Sequence, residues 1–186
     1  EEGGGLEGIK VAELPVGSLP AAGAASLEGW AVALPPAGQA PRTMVLALAS
    51  GQSGLFDCIH DLAVFPAPER FRQPSLRGAV GYRFEAAEVE LSAGAVANPR
   101  DAANLSGSLS LELWALPRTY QGGAFEGFRV AGGELGCLAG QASREDLRLN
   151  LPAAPLPPGT WQMALMLREW TPAGFVTRDY ANFSAP

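Results

Sequence analysis

An internal repeat constrains the fold of this chain more than any other feature of its sequence. Residues 27–31, Leu-Glu-Gly-Trp-Ala, return at residues 111–115 as Leu-Glu-Leu-Trp-Ala. Residues 43–48, Thr-Met-Val-Leu-Ala-Leu, return at residues 160–165 as Thr-Trp-Gln-Met-Ala-Leu. Similarity of a chain to itself indicates that it is built from related structural units. We therefore expect two related modules.

The two copies also end alike, which indicates where each module closes. Residues 61–65, followed by Ala67 and Pro68, match residues 179–183, followed by Ala185 and Pro186. The segment after the first copy carries prolines and arginines without apolar periodicity, as linkers do. The predicted organisation has four parts: a flexible glycine-rich lead at 1–7, a small β module at 8–68, a linker at 69–80 and a larger β-sandwich module at 81–186.

The composition favours β structure over helices. The 186 residues include 23 Gly and 16 Pro, and 47% of the residues are hydrophobic, which is enough for a core. Gly and Pro interrupt helices, and no segment of ten or more residues shows helical spacing without one of them. We predict an all-β fold of tandem β-sandwich modules of the immunoglobulin-like or Greek-key type, the first smaller than the second.

Alternation of apolar and polar side chains locates the strands. In residues 108–116 the leucines and Ala115 share one face, opposite Ser110 and Glu112, which predicts a strand with one core face. The alternation in residues 82–91 changes phase at Ala86-Ala87, which predicts a β-bulge there. Further strands are expected at 8–14, 26–34, 43–49, 55–65 and 147–151, and a hairpin is expected from 161–170 and 175–183, with its turn at 171–174.

Charge and hydropathy exclude two classes of partner. The net charge is −6 and Lys10 is the only lysine, so no cationic stripe is present to neutralise phosphates. We therefore expect no nucleic-acid partner. No apolar run approaches the roughly 20 residues that a membrane helix needs, so we expect no transmembrane segment.

The two cysteines and the source of the chain bear on where it works. Cys58 and Cys137 occupy non-equivalent positions in different modules, and either a disulfide between them or two buried free thiols would fit. The chain begins without Met, which suggests a processed chain or a fragment. Its use of arginine over lysine suggests a bacterial source. The expected location is extracellular, periplasmic or on the bacterial cell surface.

The sequence offers no convincing catalytic or metal site. On a strand, Cys58 and the only histidine, His60, would face away from Asp61, so that aspartate is poorly placed to orient His60 in a triad. Arg178 occupies the position of His60 in the second copy, so the repeat does not require a histidine. A blue-copper site needs two histidines, and a closed zinc site needs more Cys and His than this chain has. We expect no enzyme activity, no catalytic residues, no metal and no cofactor.

Two features suggest a binding module instead. The loop at 98–104 is rich in Asn and Asp, whose oxygens form turns and also hold calcium. Trp170, beside the last turn, and Tyr120 are candidates for exposed aromatic contacts with a glycan. Trp30 and Trp114 recur within predicted strands and are expected in the core. A carbohydrate- or calcium-dependent binding module is therefore the alternative function.

The first expectation for function follows from the small size of the first module. A small β module buries a small core and leaves backbone groups unpaired at its sheet edges, so it needs a neighbour. Ile9, Val11 and Leu14 lie in an apolar segment that would add to the edge of a partner's sheet. We predict a non-enzymatic structural or interaction subunit of an extracellular or cell-envelope assembly, whose protein partner is another copy of the chain or a larger complex.

Overall fold

The computed structural model describes residues 8–19, 23–24, 26–52 and 55–183. These residues contain nine strands in three antiparallel sheets and no helix, which confirms the all-β prediction. The predicted flexible lead at 1–7 lies outside the described residues. The strands are β1 Val45–Gln52, β2 Leu55–Val64, β3 Ser75–Glu85, β4 Glu88–Ala97, β5 Leu109–Leu116, β6 Phe128–Gly136, β7 Ser143–Pro152, β8 Gln162–Thr171 and β9 Gly174–Phe183.

Two of the sheets enclose one hydrophobic core, as in a β-sandwich. One sheet has the strand order β3-β4-β7 and the other has the order β6-β5-β8-β9. Apolar side chains from both sheets form a single buried cluster. Its fully buried large members are Leu91, Leu109, Leu111, Leu113, Leu165, Leu167, Val89, Val96 and Val130. Burial of this apolar surface is the main force that holds the two sheets together.

The strands predicted at 108–116, 147–151, 161–170 and 175–183 are confirmed, but residues 82–91 are not one bulged strand. Ala86 and Ala87 are the two turn residues between β3 and β4, whose ends pair as Glu85 with Glu88. The phase of the alternation changes there because the chain reverses, and Ala86 adopts a positive φ of 53° to make the turn. The bulge of β3 lies between Arg77 and Val80 instead.

β5 is buried on both faces, so the prediction of a single core face is wrong. Leu109, Leu111 and Leu113 point into the core between the sheets, and Glu112 on the opposite face is also buried. A second apolar cluster covers that outer face of the four-stranded sheet. The buried members of this second cluster are Ala37, Leu116, Tyr120, Ala164 and Met166. Residues outside the sheet, such as Ala37 and Tyr120, complete this cluster. The periodicity within one strand cannot reveal them.

Of the four strands predicted in the first half, two form. β1 and β2 match the predictions at 43–49 and 55–65, whereas residues 8–14 and the described residues of 26–34 belong to no strand. Leu34 donates its N–H to the carbonyl of Val11 at 2.8 Å, but a single bond of this kind makes no ladder. Trp30 is 98% exposed, so the expectation that it lies in the core is wrong, while Trp114 packs against the second cluster.

The segment predicted as a linker is held against the sandwich at its C-terminal end. β3 begins at Ser75, inside that segment, and Gln73 is buried. The amide of Gln73 donates hydrogen bonds to the carbonyls of Pro36 and Gly38, at 2.8 Å and 3.1 Å. The division into two modules remains a prediction. Within the described ranges, no helix is long and apolar enough to cross a membrane.

Candidate interaction surface

Within the described residues, the hairpin of β1 and β2 is a two-stranded sheet with no further strand on either edge. At its base, Arg42 and Glu69 exchange two backbone hydrogen bonds of 2.9 Å and 2.8 Å. All of its described side chains are exposed or half-buried. A hairpin of this kind is marginally stable in water by itself. Its unpaired N–H and C=O groups can therefore accept an added strand.

Large apolar side chains cover both faces of this hairpin. The register pairs Leu46 with Ala63 on one face and Ala47 with Leu62 on the other. We call the exposed apolar residues of the two strands, together with the adjacent Phe65, the hairpin surface: Leu46, Leu48, Ile59, Leu62, Val64 and Phe65. Clusters of exposed apolar side chains are one feature of protein interaction sites.

The hairpin β1–β2 repeats the geometry of the hairpin β8–β9. The register of β2 skips His60, and the register of β9 skips Arg178, so each strand has a bulge at that residue. Each bulged residue directly precedes the repeated aspartate, Asp61 or Asp179. Both aspartates accept a hydrogen bond from the N–H of the next residue, at 2.8 Å and 2.9 Å. The two closing hairpins are therefore alike in structure as well as in sequence.

The bulged residues also make equivalent contacts across their hairpins. His60 Nε2 lies 2.7 Å from Ser50 Oγ, and Arg178 Nε donates to Glu169 Oε2 at 2.6 Å. Ser50 and Glu169 lie at the same place, two residues past the partner of the repeated aspartate. The contact is exposed in the first hairpin and buried in the second. Each bulged residue therefore contacts the same position of the opposite strand.

The two hairpins differ in what borders them. β8 pairs along its other edge with β5, which carries the repeat 111–115. The corresponding edge of β1 is unpaired, and residues 27–31, the copy of that repeat, lie in no strand. Leu165 in β8 is fully buried, whereas Leu48, its counterpart in the sequence repeat, is 37% exposed. Leu167, which matches Leu48 when the two hairpins are aligned on their bulges, is fully buried as well. The first copy thus has the closing hairpin without the neighbouring strand.

The apolar segment predicted to add to a partner's sheet touches its own chain instead. The Ile9 side chain lies against the turn at Gly122 and Gly123. Val11 is half-buried and accepts the hydrogen bond from Leu34 described above. The Leu14 side chain contacts Gly29, although Leu14 stays largely exposed. These contacts hold residues 9–14 against residues 29–34 and against the turn at Gly122 and Gly123.

The two cysteines are free thiols. Cys58 in β2 and Cys137 after β6 are both exposed, so they form neither the disulfide nor the buried thiols that the sequence suggested. The sulfur of Cys58 lies 4.0 Å from Nδ1 of His60. Cys58 therefore lies beside His60 on an exposed face of the hairpin.

The two candidate aromatic contacts differ in exposure. Trp170 is 55% exposed and packs edge-on against Phe175, with ring centroids 5.1 Å apart. Tyr120 is only 5% exposed, so its assignment as an exposed contact is wrong. Burial raises the pKa of Tyr120, and its hydroxyl donates to the carbonyl of Gly123 at 2.9 Å. It lies inside an aromatic cluster that the loop sequence does not reveal.

The loop at 98–104 is organised around a buried asparagine. The amide of Asn98 donates to the carbonyls of Asn104 and Leu138, at 3.1 Å and 2.9 Å. Asp101 is exposed and lies 3.8 Å from Arg72. In the described part of the chain, no three His, Cys, Asp or Glu side chains are grouped to hold a metal ion. The arrangement is that of an Asx-stabilised turn.

A buried charge network that the sequence did not indicate joins this loop to the sandwich. The carboxylate of Glu169 is 3% exposed and accepts two hydrogen bonds from Arg100, at 2.7 Å and 2.8 Å. It also accepts one from Arg178 at 2.6 Å and one from the N–H of Gly107 at 2.9 Å. Burial would raise the pKa of Glu169, but these donors and the two positive charges outweigh it, so the pKa is lowered.

This network predicts a pH dependence of stability. A carboxyl group whose pKa is lowered by folding stabilises the fold above its unfolded pKa, and that stabilisation is lost as the pH falls through the folded pKa. We expect the difference in unfolding free energy between wild type and Glu169→Gln to be constant near neutral pH and to shrink below about pH 4.3. Urea unfolding across this pH range measures it, and a constant difference down to acid pH would contradict the prediction.

Asp179 is expected to show the opposite pH dependence of stability. Burial raises its pKa despite hydrogen bonds from the N–H groups of Leu76 and Tyr180. A carboxyl group whose pKa is raised by folding gains relative stability as the pH falls through that pKa. In the same titration, wild type should therefore gain stability relative to Asp179→Asn on acidification.

Comparison with other proteins does not identify a family. No protein-family model matches the chain, and no curated protein is similar to it in sequence. The comparison that bears on function is thus internal. The first hairpin repeats a hairpin whose faces and edge are covered within the same chain.

Proposed function

We propose that this chain is a non-enzymatic structural or interaction subunit of an extracellular or cell-envelope assembly, and that it docks through the hairpin surface. The observation that carries the proposal is the hairpin β1–β2, which has two unpaired edges and apolar side chains on both faces. Exposed edges and apolar patches are costly to leave uncovered, because they promote aggregation. A partner that covers the hairpin resolves this.

The second hairpin supports the proposal by showing what coverage does for this motif. Its core-facing leucines are fully buried, and β5 pairs with its edge. Burying one large apolar side chain stabilises a protein by about 1.5–3 kcal/mol. Docking the exposed leucines of the first hairpin against a partner would supply stabilisation of the same kind.

The finer reading of the fold is part of this proposal. The hairpin β1–β2 is the closing hairpin of a first, smaller immunoglobulin-like module, and the sandwich is the second module of the tandem. The repeated bulges at His60 and Arg178 support this reading. The bacterial, secreted or envelope location is supported by composition and by the all-β fold alone.

A non-enzymatic role is supported by the surroundings of His60, whose partners in the described part of the chain are Ser50 and Cys58 and include no carboxylate to orient it as in a triad. His60 contacts Ser50 across the bulge, and Asp61 accepts the backbone N–H of the next residue. The alternative, a carbohydrate- or calcium-dependent module, keeps Trp170 as its exposed aromatic residue. Its other two elements, Tyr120 and the loop at 98–104, are engaged in contacts within the chain.

Assembly through the hairpin is tested by a charge at its centre. Leu46 is 66% exposed on β1, and a lysine on an edge strand discourages strand addition. We expect the wild-type chain to show a mass in solution that rises with concentration. Leu46→Lys should remain a monomer over the same series, with an unchanged thermal unfolding curve at low concentration. Analytical ultracentrifugation and circular dichroism measure the two properties.

Leu105→Lys is the matched control, because Leu105 is an equally exposed leucine in the loop before β5. It should assemble as wild type does. A wild-type chain that stays monomeric at every concentration would overturn the proposal. Equal loss of assembly in both lysine variants would also overturn it, because the effect would then be one of charge and not of the hairpin.

A further inference from the structure

We infer that the free edge of β1 binds residues 27–34 of a second copy of this chain as an added antiparallel strand. The inference rests on the proposed assembly function and names its partner and its contact. It uses two elements of the same repeat, a donor segment that lies in no strand and an acceptor strand whose second edge has no neighbour among the described residues. The next paragraphs give the pairing, the state of the donor and the reason that the acceptor lies in another copy.

The sandwich contains the template for this pairing. β5 pairs antiparallel with β8, with Trp114 opposite Ala164. In the sequence repeat, Trp114 corresponds to Trp30 and Ala164 corresponds to Ala47. The template therefore places Trp30 opposite Ala47, on the edge of β1 that has no neighbour. If the two hairpins are aligned on their bulges instead, Ala164 corresponds to Val45, and Trp30 lies opposite Val45. This shift of two residues leaves Trp30 on the same face of β1.

The donor segment presents an unused apolar face. Trp30, Val32 and Leu34 are spaced two residues apart and would share one face of a strand. All three are exposed, and they belong to no strand in the structure. Exposure of a tryptophan to 98% is unfavourable for so large an apolar side chain. Addition to β1 would cover this face and satisfy backbone groups on both strands.

The connection between donor and acceptor is held on the sandwich, which favours a second copy over the donor's own β1. Ala37 is buried in the second cluster, and Gly38 donates its N–H to the carbonyl of Arg178 at 2.9 Å. Gln73 holds the carbonyls on both sides of Ala37, and Arg42 is bridged to Glu69. In the template, β6 and β7 lie between β5 and β8 in the chain, whereas here only residues 35–44 separate donor from acceptor. Exchange of an element between identical chains is a common route to assembly.

Cysteine crosslinking between two tagged copies tests the pairing. In a Cys58→Ser, Cys137→Ser background, one copy carries Trp30→Cys and a differently tagged copy carries Ala47→Cys. The two are co-expressed and oxidised. Facing residues of adjacent strands meet the distance that a disulfide needs. We expect a shift from monomer to a covalent dimer that contains both tags, and Val45→Cys should behave in the same way if the register follows the bulges.

Leu46→Cys and Leu48→Cys are the matched controls, because their side chains leave the opposite face of β1. They should give no dimer with Trp30→Cys. A Trp30→Cys, Ala47→Cys double variant that closes a disulfide within one chain, without dimers between tags, would show that the donor folds onto its own β1 and would overturn the inference. Equal crosslinking on both faces of β1 would overturn it too.

Failure of this inference can be separated from failure of the proposed function. If Leu46→Lys abolishes assembly but no position on β1 crosslinks to Trp30→Cys, the hairpin docks on something other than the donor segment, and only this inference is wrong. If the wild-type chain is monomeric throughout the concentration series, both are wrong.

Discussion

Replacing Glu169 by glutamine will lower the free energy of unfolding by about 3–5 kcal/mol, the loss expected when one partner of a buried ion pair is removed. The carboxylate of Glu169 accepts hydrogen bonds from Arg100, Arg178 and the N–H of Gly107. Glutamine keeps the shape but leaves both guanidinium groups without a negative partner. Arg178 is the bulged residue of β9, so the loss should be felt in the hairpin that closes the sandwich. Urea unfolding at neutral pH measures the change.

Glu90→Gln is the control for this prediction. Glu90 pairs with Arg148 at 3.0 Å, but the arginine side chain of this pair is largely exposed. Exposed pairs of this kind contribute about 0–1 kcal/mol. A loss for Glu169→Gln no larger than that for Glu90→Gln would mean that the Glu169 network contributes little to the fold.

The strands of the sandwich were predictable from sequence because the alternation of apolar and polar residues along a strand follows which side chains are buried. Trp161, Met163, Leu165 and Leu167 alternate, and they all contact the core of the sandwich. The final turn was predictable because Pro172 and Gly174 suit the geometry of a tight turn. Both predictions use information held within a few neighbouring residues.

The predictions that were wrong needed information from distant residues. Glu112 was expected to face solvent, but segments far away in sequence cover its face of the sheet. Trp30 was expected in a core because it recurs as Trp114 within a predicted strand, but residues 27–31 form no strand in the structure. The sequence repeat indicates which strand a segment could pair with, but it does not show whether the segment pairs with that strand in the folded chain.

The candidate surface was only partly predictable for the same reason. The need for a partner and the correspondence of His60 with Arg178 both follow from the repeat. The isolated two-stranded hairpin does not follow from the repeat, because residues 8–14 and 26–34 carry strand-like patterns and were predicted to be strands. The sequence also gives no signal for the contact between Glu169 and Arg100, which lie 69 residues apart.

The second large effect is expected at a leucine of the repeat. Leu165→Ala will lower the free energy of unfolding by about 2–5 kcal/mol, the range for leucines truncated in a packed core. Leu165 is fully buried in β8, between Leu113 of β5 and Ala181 of β9. The spread depends on how far the two sheets can close around the cavity. Thermal or urea unfolding at low protein concentration measures the change.

Leu48→Ala makes the same substitution at the matching position of the first hairpin. Leu48 is 37% exposed, so the unfolding free energy of the single chain should change by no more than about 0.5 kcal/mol. If the hairpin surface is covered in the assembly, the same variant should weaken association, because it removes apolar area that only the assembled state buries. The two leucines therefore separate folding from docking. A Leu48→Ala chain as destabilised as Leu165→Ala would show that the first hairpin is already part of a folded core in the single chain.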